Sequence, residues 1–214
     1  MKSQNPSEKS LFEKIEVLER ELNEIKSENA SLGIYVISRT LLINLLEQAI
    51  PEGKYDLVKD IIIRFIPTLK IYGYEYNGYW NSVGAGTAAY FAANMDFLNK
   101  EVRDHFVSEY PYIATKPKDE PPAKFNRGAD VKDTITGSGS IFDGKVEHCV
   151  VFRKVRVGAG AVVKNSILME GVQIGEGCVV ENAILDKDVV LSAGQKVIGA
   201  SVEEPAVLKK GTVL

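Results

Sequence analysis

A 17-residue repeat between about Val146 and Val197 constrains this chain more than any other feature of its sequence. Val157-Gly-Ala-Gly160, Ile174-Gly-Glu-Gly177 and Leu191-Ser-Ala-Gly194 fall into alignment. So do Val155, Val172 and Val189, and Val163, Val180 and Val197. Asn165 and Asn182, Ile167 and Ile184, and Leu168, Leu185 and Val202 complete the pattern. Self-similarity of this kind marks a solenoid, in which each coil buries its apolar side only by stacking on the next. A shorter step runs inside it. Val151, Val157 and Val163 lie six apart, and steps of five connect them to Leu168, Ile174, Val180 and onward to Leu185, Leu191 and Val197. A helix needs apolar residues three or four apart and a lone strand needs alternation. Three aliphatic positions per turn describe a three-sided coil of short strands, with small residues such as Gly158 and Gly175 following them at the bends. The pattern resembles the hexapeptide-repeat left-handed β-helix.

Composition sets broad limits. A chain of 214 residues is long enough for one large domain or two small ones. A net charge of −3 gives no electrostatic case for nucleic acid or an anionic membrane. No apolar run approaches the ~18 residues of a membrane span, and the first residues lack a signal-peptide core. Cys149 and Cys178 have no metal-site spacing and imply a reducing, cytoplasmic setting.

Ahead of the repeat the reading is mixed α/β. Leu11, Ile15, Leu18, Leu22 and Ile25 form a short heptad seam within residues 1–28. It is either a coiled coil that pairs chains or an amphipathic helix lying on its own domain. Leu32 to Ser38 reads as a buried strand. Arg39 to Ile50 reads as a helix stopped by Pro51-Glu52-Gly53, and Tyr55 to Ile66 as a second, closed by Pro67. Lys70 to Tyr79 alternates like a strand, and Thr87 to Leu98 has helical spacing, capped near Gly86 or Thr87. Two strands make a poor sheet, so this region needs a partner or belongs to a larger sheet. Four proline residues, Pro111, Pro117, Pro121 and Pro122, mark residues 101–124 as a linker. The β-helix occupies residues 125–214, with coils from near Phe125 to near Gly199; Val202, Val207, Leu208 and Val213 are candidates to cap it.

Several segments, in order, resemble the ADP-glucose pyrophosphorylase (glucose-1-phosphate adenylyltransferase) family. Asn29-Ala-Ser-Leu-Gly-Ile-Tyr-Val36 looks like its sugar-site strand, and Gly78-Tyr-Trp-Asn-Ser-Val-Gly84 like its Gly-Tyr-Trp stretch. Ala93-Asn-Met-Asp-Phe-Leu98 resembles the following helix, and Pro121-Pro-Ala-Lys-Phe125 the start of its C-terminal β-helix. The resemblance makes residues 29–100 the remnant of a nucleotidyltransferase α/β domain. It implies substrate contact at Ser31 and Gly33, unless these are leftovers of a site that no longer closes, and it makes Trp80 core or sugar-pocket wall. The family's Gly-rich phosphate loop has no counterpart in the sequence, and Ser82 stands where the family places an Asp that holds Mg²⁺. A neutral hydroxyl is a much poorer ligand for a hard dication than a carboxylate.

The resemblance therefore runs to the non-catalytic GlgD-type subunits of bacterial glycogen synthesis, here without the nucleotide-binding half. It implies no catalytic residue, metal or cofactor, and a homo-oligomer or a complex with a catalytic subunit. Arg153, Lys154 and Arg156 are either a site for a sugar-phosphate effector or a solvated face. His148, aligned with Asn165 and Asn182, is either one rung of a polar corner column or the general base of a hexapeptide acyltransferase. A purely structural oligomerisation module is the third alternative.

Overall fold

The computed structural model describes residues 31–107 and 118–214. The heptad seam and part of the proline-rich linker lie outside these residues. The chain divides into two compact units, Met1–Glu75 and Tyr76–Leu214.

The described part of the first unit is helical. Helix α1 (Arg39–Ala49) starts where Ser38 Oγ accepts the Leu41 amide, and it passes into a 3₁₀ turn, Ile50–Glu52, that carries Pro51. A helical segment of π pitch, Leu57–Ile62, continues into the single turn α2 (Ile63–Phe65). Asp56 caps it by accepting the amides of Val58 and Lys59. Leu45, Ala49 and Ile61 form the small core, with Ile37, Leu41 and Phe65 against it. Arg64 clamps Glu52 through two hydrogen bonds, 2.9 and 3.0 Å, which with Lys54 holds that carboxyl down at about 2.

The strands expected over Leu32–Ser38 and Lys70–Tyr79 do not form. Both stretches lack ladder bonds, and Ile34, Val36, Tyr72 and Tyr74 are 79–102% exposed. β-branched and aromatic content favours a strand only where a neighbouring backbone completes the ladder. Neither segment has such a neighbour among the described residues.

The second unit is a parallel β-solenoid faced by helices. Its strands are β1 (Lys124–Phe125), β2 (Asp130–Thr136), β3 (Ile141–Phe142), β4 (Lys145–Val151), β5 (Arg156–Val157) and β6 (Val162–Leu168). They continue through β7 (Gln173–Ile174), β8 (Val179–Leu185), β9 (Val190–Leu191), β10 (Lys196–Ile198) and β11 (Ala206–Leu208). The odd strands β1 to β9 form one sheet in chain order, while β2, β4, β6, β8 and β10 form another. All pairings are parallel, and the register between β4, β6 and β8 is the 17-residue step: Val146 beside Val163 beside Val180. Inward positions stack into aliphatic columns, with Val151, Leu168 and Leu185 at 0–2% exposure. Full burial of each such side chain is worth about 1.5–3 kcal/mol.

The repeat is irregular at both ends. Between β2 and β4 the step is 15 residues, because the turn after β3 has shrunk to Asp143-Gly144. A Cβ on Gly144 would stand 2.6 Å from the carbonyl oxygens of Gly158 and Ala161, so the next coil closes down on a bare backbone. At the other end, Val202 does not take the place above Leu185. Leu208 does, six residues later, after Ala200–Pro205 loop out. Leu214 lies in this last coil, donating its amide to the Val190 carbonyl and accepting from the Ser192 amide.

Helix α3 (Thr87–Met95), a 3₁₀ turn Asp96–Leu98 and α4 (Lys100–Val107) precede the solenoid. Phe91 packs on Val150, Ile167 and Ile184, which project outward from β4, β6 and β8. This explains the adjacent aliphatics Val150-Val151, Ile167-Leu168 and Ile184-Leu185: a strand covered on both faces reads as a continuous apolar run.

Candidate functional site

A groove of about 390 Å³ opens beside α3 in the second unit. Its walls come from Tyr79, Trp80, Asn81 and Val83 on one side and Asn94, Phe97 and Phe106 on the other. The approach to it is a tight turn. A Cβ on Gly78 would stand 2.1 Å from Tyr76 Oη, which bonds to the Tyr79 carbonyl (3.3 Å) and to His105 Nε2 (3.1 Å). Tyr79 is then fixed twice over. Its ring meets Phe97 and Phe106 edge-on, with centroids 6.4 and 5.5 Å away. Its hydroxyl donates to Asp96 Oδ2 at 2.8 Å, and Asn81 Nδ2 donates to the same oxygen at 2.9 Å. Burial, and then the Asp96 hydrogen bond, push the Tyr79 phenol above its ordinary range, so it remains a neutral donor. Asn94 is oriented by donating to the Tyr90 carbonyl, 2.8 Å away.

The lining is mainly aromatic and apolar, with the Asn81 and Asn94 amides as its polar groups, and Asp96 holds it from behind. Trp80, half exposed, is part of that lining. Ser82 lies exposed beside it. Asp96 and Asn81 are the polar anchors that residue-by-residue reading missed as site residues. Both fall inside quoted motifs, but nothing in their spacing signals that the side chains share one partner. Among the described residues, no group of three His, Cys, Asp or Glu side chains is placed to hold a metal ion.

Ser31 and Gly33 belong to the first unit, where Ser31 Oγ accepts the Gly33 amide at 3.3 Å and lies 3.1 Å from Tyr35 Oη. They form a local turn.

His148 occupies a solenoid corner. Asp133, His148, Asn165 and Asn182 are stacked there with φ between 41° and 53°, in the left-handed region. Asn and Asp tolerate this conformation best among residues with a Cβ. His148 Nδ1 bonds to Asp133 Oδ2, and Asn165 Nδ2 reaches Asn182 Oδ1 at 3.4 Å. The two lower rungs thus form an imidazole–carboxylate pair and the two upper ones an amide pair.

In the basic cluster, Lys154 Nζ lies 2.7 Å from Glu120 Oε1, and this carboxylate raises the ammonium's pKa above its ordinary value. Among the described residues Arg153 and Arg156 make no ion pair. Arg156 projects outward from β5. Cys149 and Cys178 are buried inside the coils, and burial pushes the Cys149 thiol up to about 12. Neither has the environment of a reactive thiolate.

The fold and the repeat define a hexapeptide-repeat β-solenoid protein, and residues 121–210 match the family model described as GlmU-like, C-terminal hexapeptide. The similarity extends well ahead of the solenoid. Over 149 residues, 67% of its length, the chain is 37% identical to a glucose-1-phosphate adenylyltransferase of Clostridium perfringens. Over 145 residues it is 36% identical to the glycogen biosynthesis protein GlgD of Bacillus subtilis. A small subunit of the wheat enzyme, from Triticum aestivum, is 33% identical over 143 residues. Across this shared stretch the chain is similar to glucose-1-phosphate adenylyltransferases and to GlgD. It spans 38%, 41% and 30% of the length of these three relatives. Among the described residues, no helix is long and apolar enough to cross a membrane.

Proposed function

We propose that the chain is a non-catalytic regulatory or assembly subunit, or a shortened form of one, of the glucose-1-phosphate adenylyltransferase type. It acts in glycogen biosynthesis in the cytoplasm, as the resemblance implies. In this reading residues 29–100 are the remnant of the nucleotidyltransferase domain and residues 101–124 the linker. The solenoid, wound left-handed over residues 125–214, supports association with copies of itself or with a catalytic subunit. The carrying observation is the groove beside α3. Its aromatic and amide walls are held by Asp96, yet Ser82 stands where the family's metal-holding carboxylate belongs. Such a groove can retain a sugar phosphate without supplying the cation that nucleotidyl transfer needs. Arg153 and Arg156, which make no ion pair among the described residues, are the candidate contacts for an anionic effector, and Lys154 is engaged by Glu120. An assay of the purified chain with ATP, glucose 1-phosphate and Mg²⁺ tests the proposal. No pyrophosphate release is expected from the chain alone, and robust turnover overturns it.

One observation supports a second reading. The Asp133–His148 pair is an oriented imidazole–carboxylate arrangement on an exposed corner, as a general base requires. A hexapeptide acyltransferase predicts stabilisation by acyl-CoA and loss of turnover in His148→Ala. If acyl-CoA leaves the melting midpoint unchanged, that reading is ruled out.

A further inference from the structure

The association role proposed above leaves open which surface is used, and the following inference rests on that role. The sheet containing β2, β4, β6 and β8 bends at the Asp133–Asn182 corner. Beyond the bend its outer side is covered by α3. Before the bend it is open, and Lys132, Glu147, Lys164 and Glu181 stand on consecutive strands in direct register. Successive strands are about 4.8 Å apart, so the charges alternate in sign along a straight column. Lys164 lies 3.5 Å from Glu147, and Lys132 lies 3.0 Å from Asp130. Even so, the Lys132, Glu147 and Lys164 side chains keep 49–68% of their surface open.

We propose that two copies of this chain pair through this open face with their solenoid axes antiparallel. Reversed end for end, a +−+− column becomes −+−+. A two-fold axis running along the strands, between β4 and β6, therefore sets Lys132 against the second copy's Glu181 and Glu147 against its Lys164. Each pair occurs twice, as a self-complementary interface requires. Sliding one copy by a single coil puts like charges opposite, so within the two-fold arrangement the column fixes register. The neighbouring outward column obeys the same operation: Lys145 meets Val162, Asp130 meets Val179, and no like charges face each other. The outward column on the other sheet, Ile141, Arg156, Gln173 and Val190, has no such alternation.

Charge reversal tests this on the full chain, with mass read by sedimentation velocity. Lys164→Glu and Glu147→Lys each set like charges against one another twice, and each is expected to halve the wild-type mass. An equimolar mixture of the two is expected to regain it, because every opposed pair is again of opposite sign. Lys132→Glu with Glu181→Lys repeats the logic if one of the first pair fails to fold by circular dichroism. Wild-type mass in the single variants, or a mixture that stays at the lower mass, overturns the proposal. So does a wild-type chain that is monomeric at low salt, or one that gains mass only when a catalytic adenylyltransferase chain is added. Pyrophosphate release would sink the non-catalytic reading yet leave this pairing standing, so the two failures are distinguishable.

Discussion

Tyr79 and Asp96, 17 residues apart, meet through a 2.8 Å hydrogen bond that ties one wall of the groove to the turn closing α3. Asn81 shares the same carboxylate oxygen, so two side chains depend on one acceptor. Asp96→Asn keeps the shape but weakens both contacts. We expect a loss of about 1.5–3 kcal/mol, the range for hydrogen bonds to a charged group, read by urea unfolding. If the groove holds a sugar phosphate, the same variant should weaken glucose 1-phosphate binding in calorimetry, while Glu203→Gln on the solenoid's outer loop should not.

The left-handed corner makes a prediction that separates backbone strain from side-chain chemistry. Asn165 has φ 41°. Asn165→Ala should destabilise by about 1–2 kcal/mol, because a Cβ without a compensating polar group is disfavoured there. Asn165→Gly should cost less than the alanine variant. Equal losses in thermal unfolding would show that the amide contact to Asn182, rather than φ, governs the site. His148→Asn should leave stability nearly unchanged if the corner is structural.

Leu168, fully buried between Val151 and Leu185 in the central column, has no room to be replaced by neighbours that are themselves stacked in register. Leu168→Ala should cost about 2–5 kcal/mol. Val202→Ala, looped out at 40% exposure, should be close to neutral despite occupying the same position in the 17-residue alignment.

The Cys149 thiol gives a pH signature. Its ordinary value is near 9 and the fold raises it to about 12, chiefly through burial. Above pH 9 the unfolded chain therefore releases a proton that the folded chain retains. The stabilisation is complete below pH 9 and is lost as pH rises toward 12, at about 1.4 kcal/mol per pH unit. Urea midpoints measured from pH 8 to 10.5 should fall more steeply for the wild type than for Cys149→Ala. Parallel slopes would refute the assignment.

The solenoid was legible because its physics is local and repeated. Three aliphatic positions per coil recur at fixed steps, and each coil can bury them only against a copy of itself. The register of Val163, Val180 and Val197 could therefore be read from the sequence. Helices with their own punctuation, such as α1 stopped at Pro51, were legible for a similar reason: helix termination depends on residues within a few positions. The strands expected over Leu32–Ser38 and Lys70–Tyr79 failed because pairing is not local. Their composition describes a preference that only a neighbouring backbone can satisfy, and the described part of the first unit offers none.

By itself, then, the sequence determined the stacked prism, its 17-residue register and the polar corner that includes His148. Tertiary structure alone decided that the first full coil loses two residues at Asp143-Gly144, and that Leu208 rather than Val202 closes the last. It also decided that Asp96 is the acceptor holding Tyr79 and Asn81, and that Lys154 is taken up by Glu120. Each of these joins residues far apart in the chain through distances of a few ångströms. Repetition can announce what a coil does with the coil beside it, but a single contact made once leaves no period in the sequence.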